Sequence, residues 1–383
     1  VATSISDSLK EIAKWLEFTT IVLLGLQYIK TRRQIWLLIT IAILAALSQA
    51  FYGYTQYFFN LGPTAFLRGN AGLRVYGSFG QPNPYAGYIN IALSIALAIT
   101  LLGGSWKSRT CAGIATLLLL VAEALTQSRG GEIAIGAAII LIVSLGIVQL
   151  RPLFRLAIIA VIGAIEAGLM GLLPESLFTP VLKILGLTNF SFSAPSQADF
   201  STAERLAHWI AGLRMFWAHP ILGVGIGNYP DSYPLYYVTI FVNPLGHAHN
   251  YLINIAAETG IIGLIVYLFF LISIFVASGK AYRSINRYYL ALKERRKRTY
   301  PFETPEDQIT PPLTSRFALV RILCKPTTRL QHALNDRALA IGILAALVAV
   351  TTHNFVDNLY VHSITSLIAL LIVSLIRLQE VTS

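Results

Sequence analysis

Residues 251–278 read YLINIAAETGIIGLIVYLFFLISIFVAS, with Glu258 as the one charged side chain. The run exceeds the roughly 20 apolar residues needed to cross a roughly 30 Å hydrocarbon core, so it reads as a transmembrane helix. Similar runs bounded by charge lie near 14–29, 35–56, 85–104, 110–127, 132–150, 155–174, 337–355 and 360–378. The expected fold is all-α: a polytopic transmembrane helical bundle of about nine spans, with a large outer-side loop containing interfacial helices. Composition agrees. Of 383 residues, 55% are hydrophobic and 12% charged, with a mean hydropathy of +0.64, values far from those of a soluble domain.

Lys and Arg collect in cytoplasmic loops, and here they alternate from loop to loop. One set holds Lys30, Arg32 and Arg33, then Lys107 and Arg109, Arg151 and Arg155, thirteen basic residues from Lys280 to Arg337, and finally Arg377. The formal charge of +11 and pI near 9.6 are thus largely a signal of topology. They argue for no nucleic-acid partner; anionic membrane lipid near the 280–337 loop accounts for them. The chain reads as a single transmembrane domain over 1–383, with an outer loop at 175–250 and a basic cytoplasmic loop at 279–336. The first residue is Val, and SDSLKEIAKWLE reads as an amphipathic lead into a helix rather than a signal peptide. Further spans are expected to precede it. Cys111 and Cys324 both fall toward the inner side, which leaves no disulfide framework or metal knuckle.

Polar chemistry concentrates on the other face. Six of the seven histidines, His208, His219, His247, His249, His353 and His362, fall on or near it. Within 175–250, Ser201 to Glu204 reads as a capping box. It leads a helix with Leu206, Trp209, Ile210, Leu213, Phe216 and Trp217 on one face and Arg205, His208 and Gly212 on the other. This is either part of a site or an ordinary interfacial helix whose arginine snorkels to lipid phosphate. The glycines of GVGIGNY (223–229) have no soluble strand before them and no soluble helix after them. A tight turn with close backbone approach is the better reading than a nucleotide loop.

In GHAHNYLINIAAETGIIG, His249 and Asn250 stand at the membrane entrance, and Gly260 and Gly263 offer a small-residue packing face. Glu258 lies about 12 Å further along the helix. It is either an intramembrane acid with a function or an interfacial one meeting water or a backbone donor. Arg129, in the short loop LTQSRGGE, points into headgroups or a protein cavity, with Glu132 as a local partner or a phosphate as a distant one. RVYGSFGQPNPYAGY supplies Arg74, Gln81, Asn83 and Tyr85 around proline-fixed turns, or is aromatic-belt punctuation. HNFVDN, with His353, Asp357 and Asn358, closes the same cavity or caps two helices.

Taken in order and spacing, RVYGSFGQPNPYAGY, LTQSRGG, ERLAHWIAGLRMFWAHPILGVGIGNY and HAHNYLINIAAETGIIG resemble the O-antigen ligase family over about residues 70–275. His249-Asn250, nine residues, Gly260, two residues and Gly263 fit that family's pattern. The resemblance implies a membrane glycosyltransferase without metal or cofactor. Such an enzyme passes a glycan from a polyprenyl (undecaprenyl) diphosphate carrier to a lipid, glycan or protein hydroxyl, on the outer side of a bacterial inner membrane. Carried over, Arg129 and Arg205 match the arginines that hold the diphosphate, and His249 the proposed catalytic histidine. Supporting roles are expected among Arg74, Asn83, Arg214, His247, Asn250, Glu258 and Asp357, with Arg214 a substitute for Arg205 and His247 a competitor of His249. The same scaffold also suits a polysaccharide polymerase or a protein O-oligosaccharyltransferase. A lipid-linked sugar transporter is the remaining alternative, although no internal repeat supports it.

Overall fold

The computed structural model describes residues 4–67, 72–147, 150, 152, 156, 200–238, 240–299 and 328–382. Nine long helices run through them: α1 (Ile5–Tyr28), α2 (Arg32–Phe59), α3 (Pro82–Leu102), α4 (Trp106–Thr126), α5 (Arg129–Gly146), α6 (Phe200–Ala218), α7 (Tyr251–Thr299), α8 (Thr328–His353) and α9 (Ile364–Thr382). All but α1 and α6 are long and apolar enough to cross a membrane, so the described residues hold seven candidate spans. The expected span at 155–174, residues 175–199 of the outer loop, and Cys324 lie outside the described residues, Leu156 apart.

The remaining difference is α1, expected as a span over 14–29. It is a helix, but Glu11, Lys14 and Glu17 precede its apolar run, which begins only at Phe18, and are spent on protein contacts. Lys14 pairs with Glu11 and donates to the carbonyl of Tyr360, while Glu17 accepts from Ser366. Its N-terminus is fixed at the site-bearing end of the bundle. Asn228 Oδ1 accepts from the Ser4 backbone N–H at 2.6 Å, and Ser8 Oγ donates to the carbonyl of Ile226 at 2.7 Å.

At the centre, α3 lies against α4, α5 and α8. The α8 sequence supplies Ala338, Ala340, Gly342, Ala345, Ala346 and Ala349, all buried. A Cβ on Gly342 would sit 2.8 Å from the Cα of Ile95. Small residues thus let two backbones meet where hydrophobic burial alone gives helices in lipid no reason to associate.

The basic loop ends gather at one end of the bundle, as the alternation of charge predicts. There Asp336 accepts from Arg32 Nε at 2.8 Å and from the Trp36 indole at 2.8 Å, and Arg337 donates to the carbonyl of Leu145 at 2.8 Å.

The helix read from the opening stretch breaks at Gly260, whose φ of +64° is left-handed. Residues 220–229 dock on this break: Ile261 N–H donates to the Pro220 carbonyl, Val224 N–H to Ala257 and Gly225 N–H to Glu258. Gly223, Gly225 and Gly227 all have positive φ, which confirms the close-approach turn. Glu258 is buried and accepts from the backbone N–H groups of Gly227 (3.0 Å) and Tyr229 (3.2 Å). Of the two readings left open for this acid, the backbone donors are the ones present, since a turn of positive-φ glycines presents N–H groups that need an acceptor. Gly260 and Gly263 do not form a common packing face. A Cβ at Gly263 would first meet Thr259 of its own helix, whereas one at Gly260 would lie 2.3 Å from the Ile221 carbonyl oxygen. Gly260→Ala therefore combines a left-handed alanine, costing about 1–3 kcal/mol, with a collision against backbone. We expect a clearly lowered thermal midpoint in detergent, with Gly279→Ala, which has open space around it, unchanged; equal midpoints for the two variants would contradict this account.

Candidate active site

At the end of the bundle opposite the basic loops, a cavity of about 630 Å³ is bordered by Arg74, Asn83, Arg129, Glu204, Arg205 and His249, with Phe66 and Phe200 on its walls. The polar residues arrive from several elements. Pro82 at the first turn of α3 presets the helix start and presents Asn83. Ser128 caps α5 by accepting from Gly131 N–H, which sets Arg129 at the helix mouth. α6 carries Glu204 and Arg205. It is already helical at Phe200, so Ser201 lies inside the helix instead of capping it, and Glu204 is released from the expected capping box to face the cavity. Burial raises the Glu204 carboxyl, against the opposing charges of His249 and Arg205.

The packing of α6 also refines the expected stripe. Ala203, Ala207, His208, Ala211, Gly212 and Met215 are buried, whereas Leu213 and Trp217 are exposed. The small-residue face with His208 goes to the protein, and large apolar residues are left for the surroundings.

His249 has φ +52°, a conformation a non-glycine residue holds only when its neighbours enforce it. Two bonds do so: the Trp209 indole N–H donates to its carbonyl at 3.0 Å, and its own N–H donates to His247 Nδ1 at 3.1 Å. Next in sequence, Asn250 accepts from Leu252 and Ile253 N–H and donates to the Phe355 carbonyl at 2.9 Å. It caps the start of α7 and ties in the 353–358 segment.

That segment delivers Asp357, whose Oδ1 lies 3.3 Å from His249 Nδ1 and accepts from Asn358 N–H at 2.8 Å. Its Oδ2 accepts from Asn83 Nδ2 at 2.6 Å, and Asn83 Oδ1 in turn accepts from Ser128 Oγ and Arg74. Burial alone would raise Asp357, but the His249 hydrogen bond and the charges of His249, His247 and Arg205 outweigh it and hold the carboxyl well below the usual range. An ionised carboxylate only accepts. It therefore fixes the proton of His249 on Nδ1 and leaves the Nε2 lone pair, which is buried and has no hydrogen-bond partner.

His247, His249 and Asp357 bring possible ligand atoms within 4.8 Å of one another, enough in number for a metal. Their hydrogen bonding opposes it. Burial, aided by the charge of His249, pushes His247 down to about 4, so its ring is neutral. Its Nδ1 is an acceptor for His249 N–H, which places its proton on Nε2, the nitrogen that faces Asp357 at 3.7 Å. A protonated nitrogen offers no lone pair to a metal. His208, beside His249 at 5.4 Å between ring centroids and stacked on Tyr233, is likewise lowered to about 3, chiefly by burial.

Arg129 and Arg205 make no hydrogen bond or ion pair among the described residues, Glu132 included, although it shares the cavity wall. Arg214 is elsewhere: it is exposed and donates to the carbonyls of Tyr236 and Tyr237. Glu258 also lies apart, in the turn described above. The structure therefore brings together Arg74, Asn83, Arg129, Arg205, His247, His249 and Asp357, with Asn250 as a brace. Sequence reasoning missed Trp209, which was read as part of an apolar stripe, and Glu204, read as a cap; neither has a local signal that separates those roles.

Fold and site together define a polytopic helical membrane protein with a cationic, histidine-bearing cavity at one end. Residues 114–268 match the family model described as O-antigen ligase. Three of the four segments quoted above fall within the match; RVYGSFGQPNPYAGY precedes it. The family implies a glycosyl-transferring enzyme of polysaccharide biosynthesis in a bacterial membrane, acting on lipid-linked glycan. No curated protein matches the chain.

Proposed function

We propose that the protein transfers a glycan from a polyprenyl diphosphate carrier to an acceptor hydroxyl, with inversion, at the non-cytoplasmic face of the membrane. The observation that carries this reading is the His249 Nε2 lone pair, buried and without a partner, at a cavity it shares with two arginines that make no hydrogen bond or ion pair among the described residues. In this mechanism Nε2 accepts the proton of the acceptor hydroxyl as its oxygen bonds to the anomeric carbon. The bond from that carbon to the diphosphate oxygen breaks, and its electron pair leaves with the diphosphate. Arg129 and Arg205 meet the charge that develops there, an interaction stronger in the transition state than in the ground state. The imidazolium formed at His249 is stabilised by Asp357, which stays ionised throughout.

Phe66 and Phe200 on the cavity wall offer apolar faces to sugar rings, while Gln81, Gln127 and Glu204 suit hydroxyl groups. The test is transfer from a synthetic polyprenyl diphosphate glycan to a panel of lipid-core, glycan and peptide acceptors in the presence of a chelator. Product of inverted configuration is the expected result, and the productive acceptor separates ligase from polymerase and from protein glycosylation. Failure with every acceptor, or abolition by chelator, would reject the reading.

A further inference from the structure

A second cavity, of about 560 Å³, opens at the basic end of the bundle. It lies between α7 and α9, lined by Lys280, Arg283, Ser284, Asn286, Arg287 and Gln379. We propose that it binds the phosphate of an anionic phospholipid, a site independent of the transfer reaction.

The polar lining of this cavity is three cations, one hydroxyl and two amides, without a carboxylate. Two further basic residues at this end are engaged within the protein, Arg32 by Asp336 and Arg337 by the carbonyl of Leu145 and the Asn286 side chain. Lys280, Arg283 and Arg287 have no ion-pair partner among the described residues, and the nearby acids are already used, Glu380 by Arg377 and Glu294 by Lys297. Arg337 Nε donates to Asn286 Oδ1 at 2.8 Å, and this guanidinium is buried over the Tyr289 ring. With its oxygen bonded to Arg337, the Asn286 amide keeps its two N–H donors for the cavity. A set of three cations with amide and hydroxyl donors, and no carboxylate, fits a phosphodiester.

Depth and register point to a lipid over free phosphate. The apolar run of α7 ends at Ser278, and Arg283 and Arg287 stand about 4.5 and 10 Å beyond Lys280 at 1.5 Å per residue, the level of headgroups. Ile272, Val276, Lys280, Arg283 and Arg287 follow one helix face, since steps of three and four residues stay on the same side. Ile272 and Val276 are exposed on that face. An acyl chain laid against these two would bring its phosphate to the three cations.

The measurement is native mass spectrometry of the delipidated protein in detergent, titrated with phosphatidylglycerol or with phosphatidylcholine of the same chains. Phosphatidylglycerol is expected to bind at least about ten-fold tighter, and each charge-removing substitution, Lys280→Gln, Arg283→Gln or Arg287→Gln, to weaken it about five-fold. Arg283→Lys should retain most of the preference. Equal binding of the two lipids, or undiminished phosphatidylglycerol binding in all three single variants, overturns the proposal. Displacement of bound lipid by inorganic phosphate at equal concentration overturns it too, in favour of a soluble-anion site. Because the readout is lipid binding, it stands or falls separately from the glycosyl-transfer reading.

Discussion

His249→Ala is expected to lower the rate of transfer by about 10²–10⁴-fold, the contribution of a well-placed general base, while leaving donor affinity nearly unchanged. The base takes a proton from the acceptor and does not touch the diphosphate, so the loss belongs in kcat. Asp357→Asn should cost nearly as much for a different reason. All the neighbours of that carboxylate are donors: His249 Nδ1–H, Asn358 N–H and Asn83 Nδ2–H. An amide in its place turns an NH₂ against one of them, and turned toward the histidine it drives the imidazole to the tautomer with its proton on Nε2. Single-turnover transfer and donor binding, measured on both variants with folding checked by thermal midpoint, decide the matter. Transfer at the wild-type rate in His249→Ala removes the histidine from the chemistry.

The second large effect is expected at the arginines. Arg129→Ala and Arg205→Ala should each lower kcat/KM by about 10²–10³-fold, the usual loss when one preorganised partner of developing charge is removed. Lysine at either position should restore only part, because a point charge cannot reproduce the two-pronged contact of guanidinium with a phosphate. If both residues grip one anion, the double variant loses less than the product of the single losses. Simple multiplication of the two effects, or activity in Arg205→Ala within a few-fold of wild type, would show that they do not share the leaving group. Arg214→Ala provides the contrast, since that side chain is committed to the carbonyls of Tyr236 and Tyr237.

Much of the architecture was open to reading because lipid imposes a simple rule: a spanning segment must be apolar for its whole length and must satisfy its own backbone. That rule found α2 to α5 and α7 to α9 to within a few residues at most ends. It did not resolve α1, where charged residues pair with other parts of the bundle and so escape any test of local hydropathy. At the site, the residues themselves were visible, but the partnerships were not. Asp357 is 108 positions from His249, and only three-dimensional closure makes it the group that orients the imidazole. Glu258 carried the opposite lesson. An acid at membrane depth reads as functional, yet here it accepts from the N–H groups of a glycine turn, a pairing that depends on where residues 220–229 dock.

The break at Gly260 divides one long helix into parts with different loyalties. Residues 251–259 are bonded to the 220–229 turn and to the Asn354 carbonyl, next to the Asn250–Phe355 bond. The run from Ile261 to Ser278 is about 27 Å long at 1.5 Å per residue, close to one hydrocarbon thickness. A bilayer of different thickness is met by tilting such a rod, at a modest cost. The 220–229 turn bridges the joint, with Ile261 N–H bonded to Pro220 on the rod side and Gly225 N–H bonded to Glu258 on the stub side, so a lean of the rod is opposed by the same segment that braces the histidine-bearing stub.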